Sequence, residues 1–132
     1  MKLSRRDFGW GAAVGVGAMA AMSSRVAHAA AEPTVSLNVV YPNQDGARFD
    51  LAYYRSTHIP LVMRVMKATS VILIEGVPMG GTPAPYVMIA HFQFPSSEAL
   101  DAAMADPAMA GVRADIANFT DIRPMVMRGK SA

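Results

Sequence analysis

The stretch YVMIAHFQF, Tyr86 to Phe94, restricts the fold of this chain more than any other segment. Read with period two, one side carries Tyr86, Met88, Ala90, Phe92 and Phe94, and the other carries Val87, Ile89, His91 and Gln93. Nearly every position is apolar. A strand of that kind belongs in the interior of a sheet with cover on both faces, because either face left bare would expose a row of large apolar side chains to water.

The flanking segments supply the sheet and one of the two covers. TVSLNVVY, Thr34 to Tyr41, alternates around Val35, Leu37, Val39 and Tyr41 and reads as the first strand. PNQDG follows with turn chemistry. Asp50 is placed to cap a helix and Phe49 to pack on Tyr54 as a hydrophobic staple. Leu51, Tyr54, His58, Leu61 and Val65 then recur at steps of three and four, which predicts one apolar helical face. SVILIEGV, Ser70 to Val77, is a second strand, joined to Tyr86–Phe94 through the glycine- and proline-rich loop PMGGTPAP. Ser96 caps a second helix, SEALDAAMA, which Pro107 interrupts and AMAGVRADIA resumes. DIRPMVMR, Asp121 to Arg128, closes the chain as a fourth strand, and Pro124 assigns it to an edge or a bulge.

The order β-α-β-β-α-β is that of an α+β, ferredoxin-like fold, a four-stranded antiparallel sheet with its helices on one face. No helix is left for the second face. A homodimer whose sheets pack face to face is the expected solution.

The first quarter of the chain stands apart. It has a basic start, an apolar run from Gly9 to Met22 and an Ala27-His28-Ala29 cleavage pattern, the layout of an export signal. Arg5-Arg6 within Ser4-Arg5-Arg6-Asp7-Phe8 resembles the twin-arginine motif of bacteria. The apolar run falls short of the roughly 20 residues a spanning helix needs, so no permanent membrane anchor is expected. Residues 1–29 are therefore read as a signal and 30–132 as one domain, delivered to the periplasm or otherwise exported. The whole chain has a formal charge of +2, but four of its twelve basic residues lie in the signal, leaving 30–132 with eight against nine acidic. That is no footprint for nucleic acid. With no cysteine, disulfides, thiol nucleophiles and cysteine–metal sites are excluded.

LNVVYPNQDGARFDLAYYRSTHIPLV resembles the opening of the ethyl tert-butyl ether degradation (EthD) family, within the dimeric α/β-barrel superfamily. YVMIAHFQFPSSEAL and ADIANFTDIRP resemble that family's later segments, in the same order. The resemblance implies a ferredoxin-like domain, a dimeric barrel and a ligand cavity between helices and sheet. It leaves the reaction open, because members carry labels such as reductase or degradation accessory, and superfamily relatives include cyclases, isomerases, metal-free monooxygenases and haem-binding enzymes.

His58 is the leading catalytic candidate. A histidine on an apolar helix face can exchange a proton near neutral pH, and its position matches the family's helix histidine. The competing structural reading is a buried imidazole beside the Ser56 carbonyl, which Pro60 leaves without its helical donor. Tyr41 and Tyr54 offer apolar rings with polar tips for a ligand. Asn38 and His91 are polar positions within strands that need partners, and Asp121, in FTDI, is placed to orient a histidine; all five are candidate substrate-binding residues. No metal site is expected, since His58 and His91 are the only histidines after the signal and no carboxylate cluster joins them. No G-x-G-x-x-G follows a strand, so a dinucleotide is not indicated. Haem held by His58 or His91 has no motif behind it.

The leading expectation is a small exported enzyme, an oxidoreductase or an isomerase or cyclase, acting on a small apolar or aromatic oxygenated compound. The alternatives are a non-catalytic binding or accessory protein and a haem-binding barrel.

Overall fold

A computed structural model describes residues 34–132; the export signal expected over 1–29 lies outside the described residues. Strand β1 (Val35–Pro42) is followed by a helix without interruption from Leu51 to Met66, comprising α1 (Leu51–Tyr53), a π-helical segment (Tyr54–His58) and α2 (Ile59–Met66). Strands β2 (Ser70–Glu75) and β3 (Tyr86–Phe94) come next, then α3 (Ser97–Ala105), α4 (Met109–Asp115), a 3₁₀ turn (Ile116–Asn118) and β4 (Met125–Lys130). The sheet order is β2-β3-β1-β4 with every pairing antiparallel. This is the ferredoxin-like α+β arrangement expected from the element order.

Local chemistry sets the element starts. The Asp50 carboxylate accepts a hydrogen bond from the Tyr53 amide at 3.0 Å, and the rings of Phe49 and Tyr54 pack with centroids 5.1 Å apart. The Ser96 hydroxyl accepts from the Ala99 amide at 3.1 Å and opens α3 in the same way. Strand β4 is an edge strand, as Pro124 required, but it begins at Met125 rather than Asp121, because proline offers no ladder donor.

The first helix departs from the expected phase. Pro60 has no N–H for the Ser56 carbonyl, and the Ile59 amide bonds the Tyr54 carbonyl, five residues back. That π-helical turn takes up one residue more than an α-turn. Downstream the inward positions move by one, so Val62 and Met66 are buried where Leu61 and Val65 were expected; those two are half-buried.

The core lies between the helices and one face of the sheet. Met88, Ala90, Phe92 and Phe94 of β3 and Val35, Leu37 and Tyr41 of β1 are buried there, joined by Leu100, Val112, Phe119 and Ile122. The opposite face is open. Ile72, Ile74, Met125 and Met127 are each more than half exposed on it, and Val87, Ile89, His91 and Gln93 of β3 are half-buried between them. Among the described residues no helix is long and apolar enough to cross a membrane.

Candidate active site

Two contacts distant in sequence bring the site together. Arg48, just before the first helix, donates to the carbonyls of Ala117 (2.8 Å) and Asn118 (3.1 Å) at the end of the 3₁₀ turn. Phe49 forms a bridge with Thr120, whose hydroxyl donates to the Arg48 carbonyl at 2.6 Å. The start of the first helix and the end of α4 are thereby held together. Asp115 arrives beside His58 although 57 positions separate them.

His58 is buried, and its Nδ1 lies 2.8 Å from Asp115 Oδ2. A carboxylate oxygen can only accept, so Nδ1 carries the proton and Nε2 presents its lone pair. Nε2 has no protein partner among the described residues, and no buried side-chain nitrogen or oxygen there lacks one. Nε2 therefore keeps accessible surface, on a residue that lines the cavity. The ring is clamped between Tyr54, stacked at 5.6 Å, and Phe119, at 4.5 Å.

Asp115 is itself held in place. Its Oδ1 accepts from the Tyr53 hydroxyl at 2.7 Å and from the Asn118 amide at 2.9 Å. Desolvation pushes its pKa up, but the hydrogen bonds from Tyr53, Asn118 and His58 outweigh that, and the net shift is downward. It remains a carboxylate at neutral pH. For His58, burial disfavours the imidazolium and lowers the pKa, against the opposing hydrogen bond and charge of Asp115. The resting form is a neutral imidazole with a defined tautomer.

The cavity has a volume of about 100 Å³ and an almost wholly apolar wall. Leu37, Val39 and Tyr41 of β1 form its floor, and Tyr54, His58, Val62 and Met66 of the first helix form one side. Met104 and Met109 add flexible thioethers. Arg113 and Ile116 line it from the α4 end, and Pro124 and Val126 from the β4 edge. Burial raises the pKa of both Tyr41 and Tyr54 well above the ordinary phenol value, so both stay neutral; the Tyr54 hydroxyl donates to Tyr41, whose own proton remains free to donate.

The structure divides the sequence candidates. Tyr41, Tyr54 and His58 share the cavity. Asn38 and His91 do not; they face each other across β1 and β3 on the open side of the sheet, where His91 Nδ1 donates to Asn38 Oδ1 at 2.6 Å. The Asn38 amide also donates to Ser36 Oγ and to the Met127 carbonyl, which accounts for an asparagine in mid-strand. Asp121 is exposed and pairs with Arg48 at 3.7 Å. The carboxylate on the histidine is Asp115, which sequence reasoning missed. Its signal was the spacing Val112, Asp115, Phe119, which puts an acid on an apolar helical line. Arg113 was missed as well. Among the described residues no group of three or more histidine, cysteine, aspartate or glutamate side chains could hold a metal.

The EthD domain matches residues 42–123, more than half of the chain. The chain belongs to the EthD family. An EthD-like protein of Ralstonia eutropha JMP134 is 33% identical, with 74% of this chain and 91% of that one covered and a TM-score of 0.68. An EthD family protein of Bacillus halodurans C-125 is 17% identical over 75% of this chain and 99% of that one, with a TM-score of 0.61. A dimeric ferredoxin-like protein of unknown function from Thermobifida fusca shares the fold, at 8% identity over 75% of this chain and 92% of that one, with a TM-score of 0.51. No curated protein matches the chain. The EthD domain boundaries enclose Tyr54, His58 and Asp115, while Tyr41 lies one residue before them.

Proposed function

We propose that this EthD protein is an exported proton-transfer enzyme acting on a small, mostly apolar oxygenated compound bound between the helices and the sheet. The observation that carries the reading is the His58–Asp115 pair, with the accessible Nε2 on a residue that lines an apolar cavity. Nε2 takes a proton from a carbon next to a carbonyl, and the C–H electron pair moves onto the carbonyl oxygen. The Asp115 carboxylate stabilises the imidazolium so formed and holds its ring in register. The neutral phenol of Tyr41, backed by a hydrogen bond from Tyr54, supplies a hydrogen-bond donor for the developing oxyanion. Return of the proton from Nε2 to a different carbon completes an isomerisation without net oxidation; attack of the carbanion on a second carbonyl of the same molecule, with the proton passing from Nε2 to the alkoxide so formed, gives a cyclisation. A porphyrin is far larger than a cavity of about 100 Å³, and the residues that line it do not fit haem.

The test is proton exchange in D₂O, followed by NMR, with a panel of small enolisable ketones. The native protein should exchange the α-protons of at least one above the buffer rate, and His58→Gln should abolish this while remaining folded. Binding without exchange would favour a ligand-carrying role, and full exchange by His58→Gln would remove the assignment.

Two further parts of the proposal rest on other observations. Export rests on the twin-arginine-like sequence ahead of the domain, and periplasmic recovery that is lost on Arg5→Lys/Arg6→Lys would check it. A homodimer through the open sheet face rests on the exposed Ile72, Ile74, Met125 and Met127, and the description of the Thermobifida fusca protein as dimeric is consistent with it. Light scattering should give twice the chain mass for the native domain and a single chain mass for Ile72→Lys/Met127→Lys.

A further inference from the structure

Among the described residues, Arg113 is the only permanently charged side chain in the wall of the His58 cavity. It lies in the last turn of α4, two positions before Asp115, and on a helix such neighbours point to different sides. Asp115 is committed to Tyr53, Asn118 and His58. Among the described residues no carboxylate lies within ion-pair distance of Arg113, Arg64 or Arg123, whereas Arg48, Arg55 and Arg128 each meet one; of the three unpaired arginines, Arg113 is the one that lines the cavity. Arg113 is thus an exposed cation at the edge of an otherwise apolar cavity, with no carboxylate paired to it.

A neutral apolar ligand gains nothing from that placement. An anionic oxygen gains a charge-assisted and geometrically matched pair, because the guanidinium fork fits a carboxylate through two parallel N–H donors. Resting on the His58 reading above, we infer that Arg113 selects substrates that carry a carboxylate on a small apolar body, holding the carboxylate at the α4 end while the body lies between Tyr41, Val62 and Met66. The imidazole is neutral at rest, so Arg113 alone supplies the charge discrimination. Since the residue is exposed, solvent weakens the pair, and the selection amounts to about tenfold in affinity.

Isovalerate and isovaleramide, which share a skeleton and differ in charge, test this at neutral pH. Binding is read from the methyl resonances of Met66, Met104 and Met109 during titration. Isovalerate should saturate about tenfold tighter than the amide. Arg113→Met should bring the acid to the level of the amide and leave the amide unchanged, and Arg113→Lys should retain part of the preference. His58→Gln should keep the preference, since it resides in Arg113. Equal affinity of acid and amide for the native protein, an equal loss of both in Arg113→Met, or no methyl response to either would overturn the inference. Loss of the His58 assignment by the D₂O experiment with the acid preference intact would remove the catalytic reading alone, and equal binding with His58-dependent exchange intact would remove only the role of Arg113.

Discussion

Removing the Asp115 carboxylate gives the most direct test of the site. Asp115→Ala leaves the Nδ1–H of His58 without an acceptor, in a ring that is only 4% exposed and packed by Tyr54 and Phe119. A buried donor stripped of its partner costs about 1–3 kcal/mol. The bonds from Tyr53 and Asn118 lie at the rim, where water replaces them, and they add little. A loss near the middle of that range, about 2 kcal/mol, corresponds to a fall in Tm of about 10 °C for a domain of this size. Asp115→Asn keeps an oxygen that can accept from Nδ1 and should lose about half as much.

The two variants share a second signature that a merely structural contact would not produce. In the native protein burial lowers the His58 pKa, and the hydrogen bond and charge of Asp115 oppose that shift. Without the negative charge, burial acts with less opposition, and the His58 pKa should fall further in both Asn and Ala variants. The assay is an NMR titration of the imidazole Cε1–H resonances, assigned through His58→Gln, together with thermal denaturation. An unchanged Tm in Asp115→Ala, or a His58 pKa in Asp115→Asn at or above the native one, would refute the account of the pair.

Acid sensitivity follows from the same groups. His58 has a folded pKa below the ordinary 6.5, so as the pH falls through 6.5 the unfolded chain takes up the proton first and stability declines until the folded pKa is passed. His58→Gln should flatten the Tm profile in that window, while the lowered pKa of Asp115 adds a further loss below its ordinary 3.8. Val62→Phe should fill part of the cavity wall, abolish the methionine methyl response to isovalerate and cost about 1–3 kcal/mol through overpacking. Lys67, which ends α2 with φ of 53°, adopts a left-handed conformation that glycine takes at no steric cost. Lys67→Gly should raise stability by up to about 1 kcal/mol in chemical denaturation.

Much of this architecture could be read from the chain because its determinants are local. The caps at Asp50 and Ser96 and the period-two pattern of Tyr86–Phe94 depend on neighbours within a few residues, and all three stand where the sequence placed them. His58, Tyr41 and Tyr54 were legible for a similar reason, as polar atoms on otherwise apolar lines. Asp115 was not, because its pairing depends on Arg48 and Thr120 joining two segments that only the tertiary fold brings together. Asn38 and Tyr41 separate for a different reason. They stand three positions apart on β1, an odd number, and strand geometry sends such residues to opposite faces.

The shift along the first helix has the most consequence for the site. Counting at steps of three and four assumes an unbroken i to i+4 ladder, and that ladder changes at Tyr54–His58. The period on either side of the break is sound, and the whole disagreement is the one residue that the π-helical turn absorbs, from Leu61 to Val62 and from Val65 to Met66. Pro60 announces the break in the sequence, since a proline in mid-helix must displace the hydrogen bond its nitrogen cannot make. A bend is the ordinary consequence of such a proline. An inserted residue satisfies the same constraint while allowing Tyr54 and His58 above the break, and Val62 and Met66 below it, to face one cavity. The proline that suggested a structural explanation for His58 therefore helps to build the wall of the cavity that the histidine lines.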